Sequence, residues 1–89
     1  MADLGDEFEI KVTEGHLDGT FHGFRNRDTI FKIQGGASWA QDEYKYEHYY
    51  LHSPRATITK TIEKVTKKET FFMEIEGVKT KIRVRLAYV

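Results

Sequence analysis

From Thr70 to Tyr88 apolar and polar residues alternate with little interruption, and this period of two constrains the fold more than any other stretch. Phe71, Met73 and Ile75 alternate with Phe72, Glu74 and Glu76, and Val78, Thr80, Ile82, Val84, Leu86 and Tyr88 alternate with Lys79, Lys81, Arg83 and Arg85. Successive side chains of a strand point to opposite faces, so the pattern is that of half-buried antiparallel strands. A turn at Glu76-Gly77 sets Met73 opposite Thr80, Phe71 opposite Ile82 and Glu74 opposite Lys79. Apolar then meets apolar and acid meets base in one register, which predicts a hairpin over residues 69–89. Glu is an imperfect first residue for a tight two-residue turn, so a longer loop is the alternative.

The same alternation recurs upstream. Phe8, Ile10 and Val12 alternate with Glu7, Glu9 and Lys11, ahead of a turn at Glu14-Gly15. Leu17–Phe24 reads as a bent strand carrying Gly19 and Gly23, where glycine marks a bulge or strong coiling. Arg25–Asp28 reads as a turn, Thr29–Gln34 as a strand broken by Gly35-Gly36, Ala37–Gln41 as a short strand with Trp39, and Tyr44–Leu51 as another. His52-Ser53-Pro54 is a boundary, because proline cannot continue a central strand. Residues 56–67 are ambiguous. Ile58, Ile62 and Val65 have helical spacing behind a Ser-Pro start, whereas Thr57, Ile58, Thr59, Thr61, Ile62, Val65 and Thr66 are all β-branched and favour a strand. The expectation is a single all-β domain over 1–89, a small closed or partly open barrel of about six to seven antiparallel strands. Residues 1–6 are expected to be a flexible N-terminal segment, and the fold becomes α+β if 56–67 is helical.

Glu9–Ile33, with Gly15, the run Gly19-Thr-Phe-His-Gly23-Phe24 and Asp28-Thr-Ile-Phe31, resembles the first half of Sm-like and other SH3-like barrels. The resemblance implies a strongly bent, glycine-punctuated strand leading into a turn and a third strand. Arg25 stands where Sm proteins place an aspartate, so their RNA-site residues do not carry over.

Composition narrows the setting. With no cysteine among 89 residues, neither a disulfide nor a thiolate–zinc staple is available, and a secreted mini-protein is disfavoured. The first ten residues are acidic and contain no apolar run, and no stretch approaches a membrane span, which leads to the expectation of a cytoplasmic protein without membrane partners. Net charge is zero but lopsided. Residues 1–53 carry five Lys/Arg against ten Asp/Glu, a balance of −5, and residues 54–89 carry nine against four, a balance of +5. Either acidic and basic strands neighbour each other, or a basic face awaits an anionic partner.

No catalytic or cofactor pattern stands out. Ser38 and Ser53 lie outside any nucleophile-elbow motif, and Gly35-Gly36 lacks the spacing and lysine of a phosphate loop. His16, His22, His48 and His52 do not make a metal-ligand set, so no metal, cofactor or enzymatic activity is expected. Two surfaces do merit attention. One is aromatic: Trp39, Tyr44, Tyr46 and Tyr50, with His48 and His52 on the tyrosine side, suited to stacking or to a protein interface, or alternatively a wall of the core. The other is the row Lys79, Lys81, Arg83 and Arg85, whose spacing of about 6.5–7 Å can follow a phosphodiester backbone or form an ordinary solvent face. The sequence thus points to a protein-interaction or assembly module, with a protein partner or self-association, and to a single-stranded nucleic-acid-binding barrel as the alternative.

Overall fold

A computed structural model describes residues 7–87 as eight strands with no helix. The predicted flexible segment 1–6 and the end of the predicted hairpin, 88 and 89, lie outside the described residues. The strands are β1 (Glu7–His16), β2 (Thr20–Phe24), β3 (Ile30–Lys32), β4 (Ser38–Gln41), β5 (Glu47–His52), β6 (Arg55–Glu63), β7 (Glu69–Ile75) and β8 (Lys81–Ala87). Six of them form an antiparallel sheet in the order β1-β6-β7-β8-β4-β3, and β2 and β5 form a separate two-stranded ribbon. The fold is therefore all-β. The sheets do not close into a barrel, because β1 and β3 end the large sheet as edges. No helix among the described residues is long and apolar enough to cross a membrane.

β-Branching decides the ambiguous segment. Arg55–Glu63 is a strand at the middle of the β1-β6-β7 half, and it buries Ala56 and Ile58. The hairpin of β7 and β8 is present with its predicted faces but a different register. Met73 pairs with Ile82, Phe71 with Val84 and Glu74 with Lys81, a shift of two residues from the expectation. The turn explains the shift. Gly77 takes a φ of +89°, Val78 N–H donates to the Ile75 carbonyl, and Val78, Lys79 and Thr80 stay in the loop. An even shift keeps every side chain on its own face, so the core residues stay as predicted. β1 also runs further than expected, through Glu14-Gly15 to His16. A bulge at Val12 sets two residues against Ile58 of β6 and keeps the strand in pairing.

One face of the large sheet carries Ile58, Met73, Ile82 and Val84, and the ribbon lies over it. Phe21 and Phe24 of β2 are buried there, with Tyr49 and Leu51 of β5 packed against the same cluster. The rings of Phe21, Phe24, Phe31 and Tyr49 meet at centroid distances of 5.5–6.4 Å, mostly edge to face. On the opposite face Lys81 of β8 crosses the ring of Phe72 to reach Glu9 of β1 at 2.7 Å. β1 and β8 stand three strand spacings apart, about 14 Å in a flat sheet. Twist brings these diagonal corners together.

Ile82 is fully buried and pairs with Met73 at the centre of this core. Ile82→Asp places an unpaired carboxylate there, at a cost above the roughly 3–5 kcal/mol that a domain of this size holds in reserve. The expected outcome is an unfolded chain by circular dichroism at room temperature. A folded variant would show that the core has been placed on the wrong residues.

Candidate functional site

The outer face of the ribbon carries the most unusual surface chemistry of the chain. In β5 the extended backbone turns Tyr49 and Leu51 inward and His48, Tyr50 and His52 outward, and in the connection before it Tyr46 joins His48 while Tyr44 is exposed beside Arg27. Tyr44, Tyr46 and Tyr50 are 84%, 67% and 79% exposed. The alternation groups these residues and leaves core or surface open; they are exposed. His22 of β2 adds to this surface, its ring 5.9 Å from that of Tyr50, while Tyr46 and His48 meet edge to face at 5.9 Å. His22, Arg25 and His48 line a shallow hollow of about 190 Å³. Sequence reasoning left out His22 and Arg25, since the pairing of β2 with β5 that brings them here is not encoded locally.

Two residues hold this surface in place. Gly23 has a φ of +107° and faces β5 so closely that a Cβ would sit 2.0 Å from the Glu47 carbonyl oxygen. Only glycine allows this approach. It sits beside a bulge in which Tyr49 and Tyr50 together oppose His22, while β5 itself keeps its ordinary alternation, Tyr49 inward and Tyr50 outward. Gln41 is completely buried yet fully satisfied. Its Nε2 donates to the carbonyls of Glu43 and Lys45 at 3.0 and 2.9 Å, and its Oε1 accepts from Arg25 N–H at 3.2 Å. One amide therefore shapes the backbone on both sides of Tyr44 and fixes the start of the β2–β3 loop. The Thr80 hydroxyl, donating to the Glu47 carboxylate at 2.8 Å, ties the same strand to the β7–β8 loop.

The remaining predicted site residues divide. Trp39 is only 4% exposed and packs on Phe71, with 5.3 Å between rings, so it is a core residue and no part of the aromatic surface. Its short strand pairs it with Phe31 and Leu86, which puts it on the apolar side of the sheet. The basic row is largely neutralised. Lys81 contacts Glu9 and Glu74, Arg83 contacts Asp42, and Arg85 contacts Asp42 and Asp28. Lys79 lies in the β7–β8 loop, out of the strand. The acidic and basic halves of the chain thus meet, through Asp42 beside β8 and through Glu9 reaching across the twisted sheet.

Asp42 is the hub of this network, contacted by Arg27, Arg83 and Arg85, and Arg27 also lies over the Tyr44 ring at 5.7 Å. Burial works against the charged carboxylate, but hydrogen bonds from Arg27 and Arg85 and the charges of Arg27 and Arg83 outweigh it. The Asp42 carboxyl is held below its ordinary value. Among the described residues no three His, Asp or Glu side chains come together as a metal-ligand group. No protein-family model matches the chain, and no curated protein or solved structure is significantly similar to it.

Two outcomes follow. Gln41→Leu removes three hydrogen bonds from buried or half-buried backbone and should cost about 2–4 kcal/mol in urea unfolding, with loss of order confined to 25–29 and 42–46 if the chain stays folded. Asp42 binds its proton more weakly in the folded than in the unfolded state. Its contribution to stability is therefore present above about pH 5 and disappears as the pH falls below about 4 and through the depressed folded value. Asp42→Asn should flatten that acid limb of the urea midpoint against pH. An unchanged acid limb would mean that the arginines do not stabilise its charge.

Proposed function

We propose that this chain is a small non-enzymatic interaction module that engages a protein partner through the tyrosine row of its ribbon. The observation that carries this reading is the exposure of Tyr44, Tyr46 and Tyr50 on a backbone pinned from beneath by Gly23 and Gln41. Rigid aromatic side chains with a polar tip give large contact area at little entropic cost, and tyrosine and arginine dominate the energetics of protein interfaces. Arg27 over Tyr44, and the charged cluster of Arg27, Arg83 and Arg85 around Asp42, supply the polar rim such an interface needs. On this reading the large sheet with the ribbon across it serves as a partly open barrel, a scaffold with no chemistry of its own, working in the cytoplasm.

Single-stranded nucleic acid is the alternative ligand for the same tyrosines, and charge weighs against it. Three of the four cations offered for phosphates already have carboxylate partners, and the chain has no net positive charge. Backbone binding draws its affinity from neutralising phosphates with unpaired cations.

The test uses the pair Tyr46→Ala and Tyr50→Ala. Neither ring is buried, so both variants should keep the wild-type stability to within about 0.5 kcal/mol. Capture of the native partner by the immobilised chain should be lost in both. An oligonucleotide titration in dilute salt should show no binding. Binding with a log–log salt slope of about −2 to −3, abolished in Tyr46→Ala, would replace this reading with the nucleic-acid one.

A further inference from the structure

The ribbon covers only part of the large sheet, and the uncovered part ends at an edge. β1 is ten residues long; at its end the His16 carbonyl accepts from Gln34 N–H, but among the described residues no strand pairs with its free side over residues 8–12. Phe8 and Ile10 lie on the core-side face, opposite Ile62 and Lys60 of β6, and with Val12 they are 43%, 43% and 42% exposed. Glu9 and Lys11 alternate with them on the other face. An exposed strand edge with an apolar row is a template for pairing with another strand.

The order of residues along this edge says which strand fits. When β1 is laid antiparallel against a second β1 with the two-fold axis at Ile10, Ile10 meets Ile10, Phe8 meets Val12, and Glu9 meets Lys11 in both directions. Moving the axis to Glu9 sets Glu9 against Glu9, and moving it to Lys11 sets Lys11 against Lys11. Shifts that place the axis between residues oppose an apolar side chain to a charge. One register alone is complementary in both apolarity and charge. We infer that β1 is a homodimer edge, joining the six-stranded sheets of two copies into one continuous sheet through residues 8–12. The interface is isologous, as a two-fold requires. The bulge at Val12 bends the strand away beyond this point and confines the pairing to about five residues, so the dimer is a reversible one. This goes beyond the partner site on the ribbon and uses none of its residues.

Glu9 also reaches Lys81, and Lys11 reaches Glu14, within the chain. Both pairs are exposed, and their loss leaves the core intact. The experiment is sedimentation equilibrium of the full chain over a hundredfold concentration range reaching about 1 mM. The wild type should approach twice the monomer mass. Glu9→Lys and Lys11→Glu each turn two attractive cross-strand pairs into two repulsive ones, and each should weaken dimerisation at least about tenfold. Mixed together, the two variants should form a heterodimer. Positions 9 and 11 are then both basic in one chain and both acidic in the other, so each cross-strand pair again joins opposite charges. Ile10→Lys, which places a charge on the axis at an already exposed position, should be folded and monomeric, and it keeps the test open should Glu9→Lys fail to fold. A wild type that stays monomeric throughout, a dimer that survives Ile10→Lys, or a mixture that fails to associate would each overturn the inference.

Discussion

The structure depends on one apolar contact, that between the β2–β5 ribbon and the middle of the six-stranded sheet. A sheet with a solvated apolar face is unstable, and in a chain of 89 residues there is little to cover it with. Phe21, Phe24, Tyr49 and Leu51 are that cover, set against Ile58, Met73, Ile82 and Val84. Fully burying one such side chain contributes about 1.5–3 kcal/mol, which is comparable with the whole net stability of so small a domain. The hydrogen-bonded edges, the surface ion pairs and the loop geometry are secondary to that contact. Where the ribbon stops, Phe8, Ile10 and Leu86 remain partly in solvent, and the sheet becomes a surface.

The ribbon serves two layers at once, and its departures from local regularity follow from that. Its inner side must fill the core while its outer side presents tyrosine and histidine. The bulge opposite His22 shifts the pairing of β2 and β5 by one residue at the point where the two strands come closest, while β5 keeps Tyr49 inward and Tyr50 outward. Gly23 makes that approach possible, and Gln41 replaces a missing stretch of ladder with a side-chain amide that reaches three backbone groups. These are the positions where ordinary strand rules are broken. They cluster beneath the exposed aromatic row.

Much of this was legible from the residues. The alternation in 69–87 assigned every side chain of β7 and β8 to its face, and the β-branched residues of 56–67 favoured a strand over a competing helical spacing; the strand itself runs Arg55–Glu63. The alternation groups the tyrosines on one side of the chain but leaves open whether that side is core or surface, which only the exposure of Tyr44, Tyr46 and Tyr50 in the fold decides. What failed did so for physical reasons. The hairpin register slipped by two because Glu76-Gly77 does not close a two-residue loop, and Val78 is drawn against the core instead. Trp39 was misplaced because a four-residue strand cannot show which side is buried; that depends on Phe31 and Phe71, far away in sequence. The basic row read as available because its partners Glu9, Asp28 and Asp42 come from the other half of the chain. A closed or partly open barrel was expected from bent, glycine-punctuated strands and the resemblance to SH3-like barrels; the sheet is not closed, and its two edge strands meet only at a bridge between Leu17 and Ile33.

If the ribbon is the cover on which the sheet depends, it cannot open on its own. Native-state hydrogen exchange measures this directly, because amides that open only in global unfolding share its free energy. The account predicts that the slowest amides of β2 and β5 exchange with the same free energy and denaturant dependence as those of β6 and β7. Ribbon amides that exchange through a separate, lower-energy opening, while β6 and β7 remain protected, would contradict it.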